Sequence, residues 1–81
     1  MKTRLYYLVQ PFCLKGNDLV PIDVRECTCA TEAEALGAAI APRHAAVIVY
    51  MVEGNAEANL WDEPEILATH GAITRRQLHA A

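Results

Sequence analysis

Eighty-one residues with 53% hydrophobic and 21% charged side chains form one domain, since so short a chain cannot assemble a second core. Seven Lys+Arg against ten Asp+Glu give a formal charge of -3, which offers no whole-surface attraction to nucleic acid or an anionic membrane. The mix is too apolar for a disordered chain and too interrupted for a membrane span.

Thr3 to Leu14 opens on Leu5-Tyr6-Tyr7-Leu8-Val9, where aromatic and aliphatic side chains favour strand over helix. Apolar residues at both parities predict that both faces of this strand are covered. Lys15-Gly16-Asn17-Asp18 reads as a turn, with Gly16 and Asn17 tolerant of positive φ. From Leu19 onward Val20, Ile22 and Val24 alternate with Asp23 and Arg25, the period of a half-buried strand. The apolar parity then passes to Cys27 and Cys29, which predicts a bulge or twist near Arg25–Glu26. The expectation is a β-hairpin from Thr3 to Cys29.

Thr31-Glu32-Ala33-Glu34 has the spacing of a capping box, in which the Thr31 hydroxyl accepts from the Glu34 amide and the Glu34 carboxylate reaches back. Ala33, Leu36, Gly37 and Ile40 recur on one helical face. Small residues on that face, with Gly37 at its middle, predict a helix lying close against the sheet. Pro42 disfavours α geometry at Ala41 and ends it. Ala35, Ala38 and Ala39 on the back carry no charge, as expected of strong helix formers.

Ala45 to Val52 is apolar at both parities, the pattern of a central strand buried on two faces. A loop is expected from Glu53 to Pro64, then a short strand over Glu65–His70 ended by Gly71. The tail after Gly71, residues 72–81, has a second capping-type spacing at Thr74 and Gln77. Only Leu78 could anchor it, so it is expected to be a frayed short helix or to be contributed to a partner.

The predicted class is therefore α+β, ββαββ, over residues 1–71: a four-stranded, mainly antiparallel sheet with one helix on one face. The helix returns the third strand antiparallel to the first, which favours strand order 2-1-3-4, with 1-2-3-4 as the alternative. One helix covers one face only. A strand apolar on both sides needs something on the other, and the simplest candidate is a second copy of the chain. A core of about 80 residues supplies only ~3–5 kcal/mol unaided, which adds to the case for a homodimer. Tyr6, Leu8, Ile48, Tyr50 and Trp61 are the candidate interface residues. Trp61 either folds back over the core edge or stands out as an interface anchor.

Among residues that could carry chemistry, Cys27-x-Cys29 is the sharpest feature. On an extended strand the two would share a face with Cα atoms roughly 6.5–7 Å apart. Two thiolates so placed could hold a tetrahedral metal if Cys13, His44 or His70 completed the set. The competing reading is that they fill small apolar slots. A redox role is disfavoured because a Cys-x-Cys on a strand has no helix N-terminus to lower its pKa. Three cysteines, an odd number, close no disulfide framework. The short apolar run from Leu5 to Val9, stopped by Gln10 and Pro11, is no signal peptide, so reduced thiols in a cytoplasm are expected. The chain has no serine, so no Ser-His-Asp arrangement exists. The four glycines are far apart and form no phosphate-binding loop. Glu53, Glu57, Asp62, Glu63 and Glu65 do not have the spacing of an EF-hand loop and read as a solvated acidic loop. Arg75-Arg76 with His79 is too small a basic spot for a nucleic-acid footprint.

Four segments form a frame: Tyr6-Tyr7-Leu8-Val9-Gln10-Pro11-Phe12, the Lys15-Gly16 turn, Ala33-Glu34-Ala35-Leu36 and Glu63-Pro64-Glu65-Ile66-Leu67-Ala68-Thr69-His70-Gly71. Across roughly residues 5 to 71 this resembles a family of short uncharacterised proteins found mainly in proteobacteria. Its members share a Val-Gln-Pro-Phe strand and end near Leu-Ala-x-x-Gly. The resemblance implies a small ββαββ domain and transfers no catalytic residue. Cys13, Cys27 and Cys29 depart from that pattern, which argues against a cysteine-based family function. The functional expectation is a small non-enzymatic module without a cofactor, self-associating through the open sheet face, with a protein partner as a further occupant. The alternative is a thiol or metal site at Cys27 and Cys29 with Cys13.

Overall fold

A computed structural model describes residues 2–71 of the chain. Strand β1 (Arg4–Lys15) turns through Gly16 and Asn17 into β2 (Asp18–Pro21), and β3 (Arg25–Cys27) follows. Helix α1 (Ala30–Ile40) continues as a 3-10 turn (Ala41–Arg43) into β4 (Ala46–Asn55), β5 (Leu60–Trp61) and β6 (Glu65–Gly71). The class is α+β as expected, with one antiparallel sheet curled into a half-barrel.

Among the described residues six strands stand where four were expected. β1 and β4 form the central pair, in register from Arg4↔Gly54 to Phe12↔Ala46. The expected second strand is split. β2 pairs with the second half of β1 and β3 with its middle, leaving Ile22–Val24 outside any strand. The parity switch thus comes from an interruption three residues ahead of the Arg25–Glu26 bulge that the pattern suggested. On the other side, β5 and β6 both pair with β4. β5 lies inside the expected Glu53–Pro64 loop, because β4 runs on to Asn55 and the Ala56–Asn59 turn reverses the chain. A short apolar pair such as Leu60-Trp61 has no period of its own to read. A bulge between Ala68 and Ile66 opposite Val49 and Tyr50 interrupts β6, so Leu67 joins the core-facing side.

The helix packs its expected face. Ala33, Gly37 and Ile40 are buried and Leu36 is partly so. Gly37 sits over Val47 and Val49, where even a methyl group would run into a Val49 Cγ. The core beneath is Val9, Cys27, Ala33, Ile40, Val47 and Val49, with Tyr7, Leu67 and Ala68 at its margin.

The start of α1 is a correction. The helix begins at Ala30, its cap is Cys29 with φ -156° and ψ 168°, and Thr31 lies inside the first turn. The Cys29 sulfur accepts the Glu32 N–H at 3.4 Å, while the Thr28 hydroxyl bonds the Glu32 carboxylate. A box at Thr31–Glu34 would cost the helix two residues and its tie to β3. Cysteine is absent from the usual caps, so the sequence pattern pointed two residues too late. The α-helix ends at Ile40 as expected, but Ala41 keeps α-region angles (φ -51°, ψ -41°) ahead of Pro42. The expected exclusion of α geometry at Ala41 is thereby corrected: the chain tightens into the 3-10 turn Ala41–Arg43 instead. The expected tail element lies outside the described residues.

Candidate functional site

Side chains along paired antiparallel strands share faces in alternation. Tyr7, Val9, Val47 and Val49 face the helix. The opposite parity therefore brings together Tyr6 opposite Val52, Leu8 opposite Tyr50, and Phe12 opposite Ala46, with Ile48 opposite Gln10. On β6, Ile66 pairs with Tyr50 and Thr69 with Ile48. Among the described residues no helix lies on this side.

Burial across the face is graded. Ala46, Ile48 and Val52 are 1%, 7% and 7% exposed. Tyr6, Leu8, Phe12 and Tyr50 are half-buried, and Ile66 and Trp61 stand 41% and 46% exposed. Along the face, buried Ile48 has half-buried Tyr50 next to it on β4 and Leu8 diagonal to it on β1, while Tyr6 stands further along, opposite Val52. Burial without a compensating partner raises the Tyr50 hydroxyl pKa above the phenol value of 10.0.

Trp61 does not fold into the core. It pairs with Gly54, and its ring packs edge-on against Tyr6, with centroids 5.2 Å apart and planes at 65°. Its indole N–H donates to Asn59 Oδ1 at 3.1 Å, which satisfies the polar end while the ring stays at the surface. A Cβ on Gly54 would lie 2.5 Å from the indole, so glycine there lets the ring approach. Arg4 extends the stack, its guanidinium 3.9 Å from the Tyr6 ring centroid and 3.1 Å from Glu26 Oε2. Sequence reasoning missed Arg4. Its i, i+2 relation to Tyr6 was the available signal, since both point to one face. Beside the stack, a shallow groove of about 440 Å³ runs between Lys2–Arg4 and Asn55–Glu57.

The cysteines lie elsewhere. Cys27 is buried on the helix side, Cys29 is exposed, and Cys13 is intermediate. The two sulfurs of the pair meet the first turn of α1, so the expectation that no helix N-terminus stands beside them is overturned. Cys13, opposite Val20, is six residues along β1 from Tyr7, the partner of Cys27, or roughly 20 Å. His70 on β6 is three strand spacings across the sheet from β3, about 14 Å. His44 lies beyond the far end of α1, about 16 Å from its start. Among the described residues no three His, Cys, Asp or Glu side chains gather where one metal ion could be held.

Burial raises the Cys27 thiol pKa above the ordinary 9.0, and the charges of Glu32, Cys29 and Glu26 add to the rise. The folded state therefore holds these protons, at Cys27 and Tyr50, more tightly than the unfolded chain. Their contribution to stability is complete below the unfolded values and is lost as pH rises through the folded ones. Urea unfolding is accordingly expected to show stability falling from about pH 9 upward, with part of the fall removed in Cys27→Ala. A flat profile to pH 10.5, on the order of the unperturbed Tyr value, would contradict the burial argument.

Comparison with protein families, curated proteins and solved structures finds no match to this chain.

Proposed function

We propose that the chain is a small, non-enzymatic interaction module of the cytoplasm that forms a homodimer through the sheet face opposite α1. The carrying observation is the apolar parity of that face, where Leu8, Phe12 and Tyr50 neighbour buried Ile48 and Tyr6 stands opposite Val52, and no helix covers them among the described residues. Contiguous apolar surface of this kind marks association sites in soluble proteins. A two-fold axis would set the same patch against itself, with Trp61 and Ile66 at its margin and Arg4 and Glu26 at its polar rim. The same surface suits a protein partner. The resemblance to short proteobacterial proteins implies a small α+β domain and assigns no activity. The separation of Cys13, His44 and His70 from Cys27 favours the module over a metal site.

Native mass spectrometry and light scattering at high micromolar concentration test this reading. The wild-type chain is expected as a dimer, and Leu8→Asp as a monomer with an unchanged far-ultraviolet spectrum. Placing one carboxylate on each side of a dry interface is expected to weaken association at least 100-fold, on the order of 3 kcal/mol. A strictly monomeric wild-type protein would overturn the proposal.

A further inference from the structure

The face opposite α1 has unlike ends. At one end lies the shallow groove of about 440 Å³, with Lys2 and Glu57 among the side chains that line it. The Tyr6–Trp61 pair stands beside it. At the other end β1 and β2 form a hairpin. Leu14, on the same parity as Tyr6 and Leu8, is 60% exposed there and stands opposite half-buried Leu19. Lys15 and Asp18 follow, paired with each other across the turn and both exposed. β1 spans the 12 residues from Arg4 to Lys15, roughly 36 Å of extended strand. Groove and hairpin tip therefore do not meet within one chain.

We infer that two copies of the chain pack these faces with β1 antiparallel to its partner, so that the β1–β2 hairpin tip of each enters the groove of the other. This arrangement rests on the homodimer proposed above and adds its orientation and its end contacts. A two-fold axis lying in the interface and crossing β1 at Gln10 reverses the strand. Tyr6 then faces the partner's Leu14, and Leu8 faces the partner's Phe12.

Shape and charge both favour this orientation. On this face Leu14 and Trp61 stand 60% and 46% exposed at opposite ends, while Ile48 between them is 7% exposed. Antiparallel packing covers both exposed ends at once. Parallel packing sets groove against groove and tip against tip, which leaves the grooves unfilled. The tip and the groove are also complementary in charge: the partner's Asp18 arrives beside Lys2, and the partner's Lys15 beside Glu57. Such rim charges set the register of an interface more than its strength. The groove lies on the β4 side of β1 and the tip on its β2 side, an offset of one strand spacing, about 4.8 Å. A crossing of up to about 30°, usual between packed sheets, accommodates that offset.

Unlabelled and isotope-labelled chains would be mixed at high micromolar concentration and treated with a carbodiimide, which joins an amine to a carboxylate in direct contact. Mass spectrometry of the digest is expected to show Lys15–Glu57 and Lys2–Asp18 links, in part between labelled and unlabelled chains. Light scattering supplies the second arm. Glu57→Lys sets like charges together at both ends of the dimer and should raise its dissociation constant about tenfold. Adding Lys15→Glu to the same chain should restore it. Both positions are exposed, so neither change disturbs the fold. A dimer lacking these links, or one joining Lys2 of one copy to Glu57 of the other, would overturn the antiparallel arrangement and leave the dimer standing. A monomeric wild-type chain would overturn the dimer and this arrangement with it.

Discussion

Gly71→Ala is expected to leave the chain largely unfolded. Gly71 has φ +81° and closes β6 against the start of β4. An added Cβ would strike the Ala45 carbonyl oxygen and come within 2.9 Å of Ala46 Cα. Both are backbone atoms of the central strand region, so no side chain can rotate away. The positive φ alone costs an L-residue about 1–2 kcal/mol, and displacing β4 from β6 adds about 1–3 kcal/mol. The sum approaches the whole stability of a domain this small, ~3–5 kcal/mol. Gly16→Ala is the control. Gly16 has φ +63° with nothing within 4 Å of the added atom, so only the backbone cost, about 1–2 kcal/mol, should appear. Urea titrations of the two variants separate strain from collision. Equal losses would show that the close approach at Ala45 relaxes at no cost.

The second large effect is a coupling between helix and sheet. Gly37→Ala gains about 1 kcal/mol of helix propensity, but its Cβ collides with Val49 Cγ2. Val49 is fully buried, so overpacking there should cost about 1–3 kcal/mol. Val49→Ala alone should cost about 2–3 kcal/mol in lost burial and cavity. Together the two changes compensate, since truncating Val49 vacates the space the new methyl group needs. The double variant is expected to be more stable than the sum of the singles by about 1–2 kcal/mol. Additive losses would mean that α1 lifts away as a rigid body and that the Gly37–Val49 contact does not set its height.

Features that depend on local chemistry were readable along the chain. The Gly16 turn, the apolar face of α1, its stop before Pro42 and the two-sided burial of Ala46–Val49 all follow from short spacings. The open face was legible too, because Tyr6, Leu8, Ile48 and Tyr50 fall on one parity once the central pair is in register. Illegible were the features that depend on where a second strand arrives. β5 can pair with β4 because Gly54 admits the Trp61 ring, and β2 and β3 are split at Ile22–Val24, which lie outside any strand.

The cap of α1 shows the same division. Both Cys29 and Thr31 stand near the helix start, and by side-chain preference alone the threonine wins. Pairing Cys27 with Tyr7 holds the end of β3, and the chain must then turn into a helix whose Ala33 reaches the core. Only a start at Ala30 satisfies both ends. The α+β class, the helix face and the apolar strands follow from periodicity and turn chemistry, which are properties of neighbouring residues. Tertiary structure decided the strand count, the surface position of Trp61 and the placing of two sulfurs around one helical turn. Those depend on register and close approach between segments far apart in the chain, and no local pattern encodes such distances.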